Sequence, residues 1–319
     1  MIVTLILILF VTYKLYERFF PASWGDPNGK YVLISGCDTG FGNGLAKELD
    51  CQGYNVIAGV YSNNTIEQLG KELSSKATVF KLDITKQQDI DGAFELVKSK
   101  TDNLHALVNN AGVGRGGLID WTPLTLYRDV MEVNFFGHVS MTKTFLPLLL
   151  RQPGNRIVNI SSIAGYFASP AVSAYCASKY ALEAFSDCLR REMAQWGLKV
   201  SVIEPGLMRT AIFEGKEEAL SQLWTNLTSD TKERWGEAFF DQHMKRMNDF
   251  MKNTQDPMIV VRALQHAVSS SKPNIRYRPG WQSALMFPLS MMPAWFADML
   301  MALGDGTLEK PVGVLKQRG

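Results

Sequence analysis

Long runs of any one character are what this sequence lacks. Of its 319 residues, 33 are Lys or Arg and 31 are Asp or Glu, a formal net charge of +2, and the basic residues nowhere crowd together. Binding a phosphate backbone needs clustered cations, so the composition argues against nucleic acid as a partner. Cysteine is scarce: Cys37, Cys51, Cys176 and Cys188 fall in no CxxC spacing and are too few to staple a chain of this length. Reduced thiols are therefore expected. The four histidines form no HxxxH pair, and no metal is expected. There is no internal repeat, no low-complexity tract and no Pro/Ser-rich linker. Even the most apolar stretch, MIVTLILILFVTY at 1–13, is shorter than the ~20 residues that span a hydrocarbon core. It also lacks the basic start and A-x-A site of a cleaved signal peptide, and Lys14, Glu17 and Arg18 close it at once. We read 1–20 as a retained membrane anchor.

Apolar material is what the chain has in plenty. Hydrophobic residues make up 46% and charged residues 20%, which supports a packed core and excludes a disordered or fibrous protein. The body, 28–280, reads as one domain. Behind it, 281–319 opens with a second apolar stretch, 281–303, whose only charge is Asp298. Pro288 and Pro293 are expected to break that stretch, leaving either a core flap or a patch that dips among lipid headgroups.

β-Branched runs alternate with amphipathic ones. Strands are expected at Tyr31–Ser35, Asn55–Val60, Thr78–Leu82, Ala106–Val108, Arg156–Ser161 and Lys199–Ile203. Helices are expected at Gly44–Gln52, Gln87–Lys100, Tyr127–Arg151 and Tyr175–Trp196. Strands separated by helices imply an α/β fold, a Rossmann-like doubly wound parallel sheet. Such a sheet binds its ligand beyond the carboxyl ends of its strands, where the strand order reverses.

The first strand leads into Gly36-Cys37-Asp38-Thr39-Gly40-Phe41-Gly42, followed by a helix. Glycines let a backbone turn tightly and approach a pyrophosphate resting on free N–H groups at a helix N-terminus. The second strand ends in Val60-Tyr61-Ser62, without the acid that often receives an adenosine ribose. Asp38 inside the loop supplies a carboxylate instead, which would repel a 2′-phosphate, so NAD is expected rather than NADP.

Tyr175 and Lys179 stand four apart and share one helix face. A tyrosine titrates near ~10 unaided, too high for a base at neutral pH, and a neighbouring ammonium together with a positive nicotinamide ring is expected to lower it. Ser162 lies thirteen residues earlier at a strand end, within reach of a reacting oxygen.

Taken together, these residues resemble the short-chain dehydrogenase/reductase family over roughly 30–209. Ser35 to Gly42 matches the family's TGxxxGxG, with Ser for the first Thr. Asp83 matches the aspartate at the adenine, and Asn109-Asn110-Ala111-Gly112 the NNAG segment lining the cofactor cleft. The resemblance implies a tetrad of Asn134, Ser162, Tyr175 and Lys179, with Ser162 and Tyr175 holding the substrate oxygen and Asn134 a water of the proton relay. Lys179 is also implied to bond the nicotinamide ribose, and Pro205, Gly206 and Thr210 to hold the carboxamide. Segments such as Gly36 to Asn43, Leu182 to Asp187 and Ile203 to Gly206 resemble the branch of retinol, hydroxysteroid and 3-hydroxybutyrate dehydrogenases. The implied reaction is hydride exchange between NAD and an alcohol.

Phe213, Leu220, Leu223, Trp224, Trp235, Phe239, Phe240 and Phe250 mark 207–256 as an apolar lid, or as plain amphipathic packing. With two apolar ends, the lid favours a lipid-soluble alcohol at the endoplasmic reticulum membrane, with the body cytosolic. A 3-hydroxybutyrate-type enzyme with a mitochondrial address is the alternative, and would need a buried cation, for which Arg209 is a candidate. A catalytically silent lipid-binding scaffold is the third reading. The resemblance further implies a homodimer paired through the long helices.

Overall fold

The computed structural model describes residue 12 and residues 23–305 and 310–317. The expected anchor at 1–20 lies, apart from residue 12, outside the described residues. Among the described residues no helix is long and apolar enough to cross a membrane. All four cysteines are free thiols.

Seven parallel strands form one sheet in the order β3-β2-β1-β4-β5-β6-β7. They are β1 (Tyr31–Ile34), β2 (Asn55–Val60), β3 (Thr78–Lys81), β4 (Leu104–Asn109), β5 (Arg156–Ile160), β6 (Lys199–Ile203) and β7 (Arg276–Tyr277). The order reverses between β1 and β4, so the loops leaving these two strands face each other across the crevice. Alternation along the strands divides the core in two. Val32, Ile34, Val56 and Ala58 point to one face, against α1 (Gly40–Cys51) and α10 (Met258–Ser269). Leu33, Ile57 and Ile157 point to the other, against α3 (Gln87–Lys98) and α5 (His138–Leu149). The edge carries α2 (Asn63–Glu72).

The structure departs from the expected elements at four informative places. The first helix begins at Gly40, four residues before the expected Gly44, so two of the three loop glycines belong to its opening turn. The expected helix Tyr127–Arg151 is α4 (Leu124–Met131), a π-helical turn at Glu132–Gly137, and α5. In the C-terminal stretch Pro288 does not break the chain, as it was expected to do: it sits near the end of α11 (Trp281–Ser290). Pro293 does divide the stretch, directly before α12 (Ala294–Asp305), at a helix start that a proline tolerates. The expected helix Tyr175–Trp196 is α6 (Ser173–Glu192) plus a 3-10 turn, closed by Gly197 at φ +70°.

The segment read as a lid folds into α7 (Lys216–Thr225), α8 (Ser229–Trp235) and α9 (Glu237–Met251), and the short α13 (Val312–Lys316) packs against α8. Its aromatic residues pack around Trp121, which stands within 6.2 Å, centroid to centroid, of Trp224, Trp235, Phe239 and Phe240. Leu220 and Trp224 are buried there, whereas Phe250 is exposed. Most of the expected lid aromatics thus pack onto the body, and the anchor they pack on lies a hundred residues earlier in the chain.

Candidate active site

The turn after β1 is shaped by contacts that only glycine permits. Gly36 has φ +70°, and a Cβ there would lie 2.7 Å from Ala111 Cα. A Cβ at Gly42 would lie 2.4 Å from the Asn110 amide nitrogen. Asn110 donates through Nδ2 to the carbonyls of Ser35 (2.9 Å) and Gly36 (2.8 Å). The Ser35 hydroxyl accepts from the N–H groups of Asn110 (3.1 Å) and Ala111 (3.2 Å), which explains why Ser serves where the family has Thr. Asn110 and Ala111 thereby lock the loop after β4 to the glycine turn, and Asn110 spends its amide on shaping that turn. No side chain caps α1 behind Thr39, so its first N–H groups, from Gly40, Phe41 and Gly42, are left for an incoming anion.

Asp38 reaches across to the end of β2, where its carboxylate accepts the N–H groups of Tyr61 and Ser62, each at 2.8 Å. The acid absent from the second strand is thus delivered from the glycine turn. Asp83, at the end of β3, is held by the Thr85 hydroxyl at 2.7 Å. Burial alone would raise its carboxyl, but Thr85 and Lys86 keep it below the ordinary range. Thr210 packs over the turn, its Cγ2 3.6 Å from where a Gly40 Cβ would be. Pro205 and Gly206 are tied within the fold: the Pro205 carbonyl accepts from Ile163 (2.9 Å), and Gly206 donates to Pro279 (3.0 Å). These positions offer an extended dinucleotide a pyrophosphate cradle, a ribose acceptor and a closing edge.

The four catalytic candidates converge beside this crevice. Ser162 follows β5 by two residues and accepts the Ala164 N–H at 3.2 Å, and its side chain stands beside the Tyr175 phenol. Lys179, 3% exposed, donates to the Ile160 carbonyl at 2.8 Å and lies 5.6 Å from the centroid of the Tyr175 ring. Asn134, fully buried in the π-helical turn, donates to the Val113 carbonyl (2.9 Å) and Ser178 (3.0 Å) and accepts from the Val113 N–H (2.9 Å). Both amide hydrogens are spent, so any relay water finds at Asn134 only the second lone pair of Oδ1. The backbone of Gly112 separates Asn134 from Lys179: a Cβ there would meet Oδ1 at 3.4 Å and Nζ at 3.9 Å.

The electrostatics run partly against the expectation. Burial pushes the Tyr175 phenol up to about 12, with the neighbouring Ser162 hydroxyl pulling the other way. Burial also draws Lys179 down to about 8, with Glu183 opposing. The lysine shares the tyrosine's helix face as expected, yet in this fold it does not offset the desolvation of the phenol.

Two features escaped the sequence reading. His138, one turn beyond Asn134, is buried and hydrogen-bonds the Ala111 carbonyl at 2.8 Å. Burial, then the Lys179 cation, hold it down to about 3, so it stays neutral. Its i+4 spacing from Asn134 was the available signal. Behind Lys179, Glu183 and Glu204 meet Arg276 and Arg278 in a buried ion cluster. Glu204 also binds α11 to the site, because its carbonyl accepts the Ser283 hydroxyl (2.7 Å), whose own carbonyl accepts from Tyr166 (2.8 Å). The candidate cation Arg209 is exposed.

Residues 30–221 match the short chain dehydrogenase family. The chain is 39% identical to 17-beta-hydroxysteroid dehydrogenase type 6 of Bos taurus, covering 85% of this chain and 87% of that one. It is 37% identical to retinol dehydrogenase 7 of Mus musculus, over the same shares. It is equally 37% identical to the mitochondrial D-beta-hydroxybutyrate dehydrogenase of Bos taurus, over 82% and 80%.

Proposed function

The chain belongs to the short-chain dehydrogenase family and is an oxidoreductase; on that premise we propose that it exchanges hydride between NAD and a lipid-soluble alcohol, a retinoid or a hydroxysteroid, at the endoplasmic reticulum membrane. The observation that carries the reaction is the convergence of Ser162 and Tyr175 beside the crevice, with Lys179 5.6 Å from the Tyr175 ring and Asn134 fixed behind them. When bound, the nicotinamide supplies the hydride-accepting carbon. Ser162 orients the substrate oxygen, and Tyr175 exchanges its proton with it. Lys179 sets the charge behind the phenol, and Asn134 holds the 113 backbone and α6 together so that the three stay aligned.

Asp38 supports the choice of NAD. Its carboxylate, pinned to the amides at the end of β2, occupies the place where a ribose acceptor belongs and opposes a 2′-phosphate. The names of two relatives support a retinoid or steroid alcohol. The third supports a short hydroxy acid, but Arg209, the cation that reading needs, stands in solvent. The test is NADH formation from retinol, a steroid alcohol and 3-hydroxybutyrate, with NAD and with NADP. Turnover of the lipid alcohols with NAD is expected. Turnover of 3-hydroxybutyrate alone would overturn the substrate class. In the same assay Asp38→Ser is expected to shift the NADP:NAD ratio of kcat/KM upward by ~10-fold or more, since a like-charge contact is removed. An unchanged ratio would remove Asp38 from cofactor choice.

Membrane contact is supported by the surface of α11 and α12. Trp281, Leu285, Met291 (74% exposed), Met292 and Trp295 (68%) stand in solvent within twenty residues. Tryptophan and methionine on short helices suit the headgroup boundary rather than a span. Vesicles of brominated phosphatidylcholine are therefore expected to quench the protein's tryptophan fluorescence, and Trp281→Phe with Trp295→Phe to remove most of that quenching. Equal fractional quenching in the double variant would place the contact elsewhere.

A further inference from the structure

The lid contains a cation without an anion. Lys216 opens α7, and its ammonium lies 4.4 Å from the centroid of the Phe213 ring. It lines a cavity of about 240 Å³ between the Phe213–Lys216 turn and Met247, Asn248 and Met251 of α9. Among the described residues no carboxylate pairs with it. Glu217 and Glu218 also border the cavity, but both are exposed. Burial alone draws the lysine down to about 8, and no acidic neighbour raises it.

The position is costly for a lysine. A cation at the first residue of a helix opposes the helix dipole, and α7 has no capping side chain. The ring attracts the ammonium but does not replace lost water. An anion in the cavity would meet the ammonium and the free N–H groups of α7 together, with Phe213, Met247 and Met251 for an attached chain. A chain connection leads from the cavity toward the catalytic residues. Ile212, just before it, packs against Gly114, its Cγ1 3.0 Å from a Cβ there, two residues beyond the Gly112 that abuts Asn134 and Lys179.

We propose that Lys216 is a carboxylate-binding residue and that the lid cavity takes the acidic end of an amphiphile, so that the favoured lipid alcohols are those carrying a carboxylate away from the reacting carbon. As a statement about substrate this rests on the dehydrogenase reading; as a statement about binding it does not. The two are separated by measuring binding alone, with cis-parinarate and its methyl ester followed by their own fluorescence. Both probes are kept below the concentration at which they form micelles. The wild-type protein is expected to bind the acid at least ~10-fold more tightly than the ester. Lys216→Met should erase that preference and leave ester binding intact, while Lys216→Arg should keep it. Lys272→Met, at an exposed lysine, controls for net charge and should keep it too. Equal binding of acid and ester by the wild-type protein, or a preference that survives Lys216→Met, overturns the proposal. A protein that shows the preference yet forms no NADH from any alcohol would overturn the dehydrogenase reading and leave the carboxylate site standing.

Discussion

Tyr175→Phe is expected to lower kcat for alcohol oxidation by about 10²–10⁴-fold, with NAD affinity held within about threefold. The phenol is the one group at the site that both stands beside the reacting oxygen's other ligand, Ser162, and has a proton to exchange. Lys179 cannot stand in for it, because its ammonium is committed to the Ile160 carbonyl at 2.8 Å. Phe keeps the ring and its packing, so the fold and the nucleotide crevice should survive. Direction matters here. With burial pushing the phenol up to about 12, Tyr175 is protonated at neutral pH. It is therefore poised as an acid for carbonyl reduction, whereas oxidation needs the phenolate. Each pH unit below the tyrosine pKa cuts the phenolate tenfold. Oxidation should accordingly fall as pH drops from 8 to 6, while carbonyl reduction holds its rate over the same range. Steady-state rates in both directions at three pH values check this, with cofactor binding followed by NADH fluorescence. A Phe variant within tenfold of wild type in either direction would remove Tyr175 from the proton path.

Much of this site was legible in the residues alone, because its motifs depend on local geometry. The β-branched runs gave β2 and β6 to the residue, and the four-residue spacing of Tyr175 and Lys179 gave their common face. What escaped has long-range causes. The π-helical turn at Asn134 leaves the apolar pattern unbroken, so Tyr127–Arg151 read as one helix. β7 is two residues long and exists only by pairing with β6. The lid aromatics have helical spacing whether they cover a substrate or pack on the body, and Trp121, which decides the matter for most of them, is remote in sequence. The direction of the Tyr175 shift was missed for a related reason. Spacing locates a charge, but burial of the phenol depends on everything packed around it.

The ion cluster behind Lys179 carries the second large effect, and again long-range packing decides it. Arg276 donates through Nε to Glu204 (2.9 Å), through Nη1 to Asp187 (3.2 Å) and through Nη2 to Glu183 (3.1 Å). Glu204 has only 2% of its side chain exposed. Arg276→Met keeps the apolar stem but strips Glu183 of its arginine and leaves Glu204 with Arg278 alone, while Asp187 keeps Arg190 and Arg191. Removing one partner of a buried pair costs about 3–5 kcal/mol, because the remaining charge stays desolvated. The pH dependence follows from Glu204. Burial, then Glu183, push it up to about 7 even with both arginines present, against an ordinary 4.5. Between those values the folded chain binds more protons than the unfolded one, so this group's contribution falls as pH rises from about 4.5 to about 7. Without the Arg276 cation the carboxyls titrate higher still, and protonation relieves more of the repulsion. The stability gap between wild type and Arg276→Met, read from urea midpoints and slopes, should therefore be wide at pH 8 and narrower at pH 5.5. A gap under about 1 kcal/mol at pH 8, the range of an exposed pair, would show that the cluster acts as surface charge. A gap of full size that ignores pH would assign the loss to packing of the arginine stem instead.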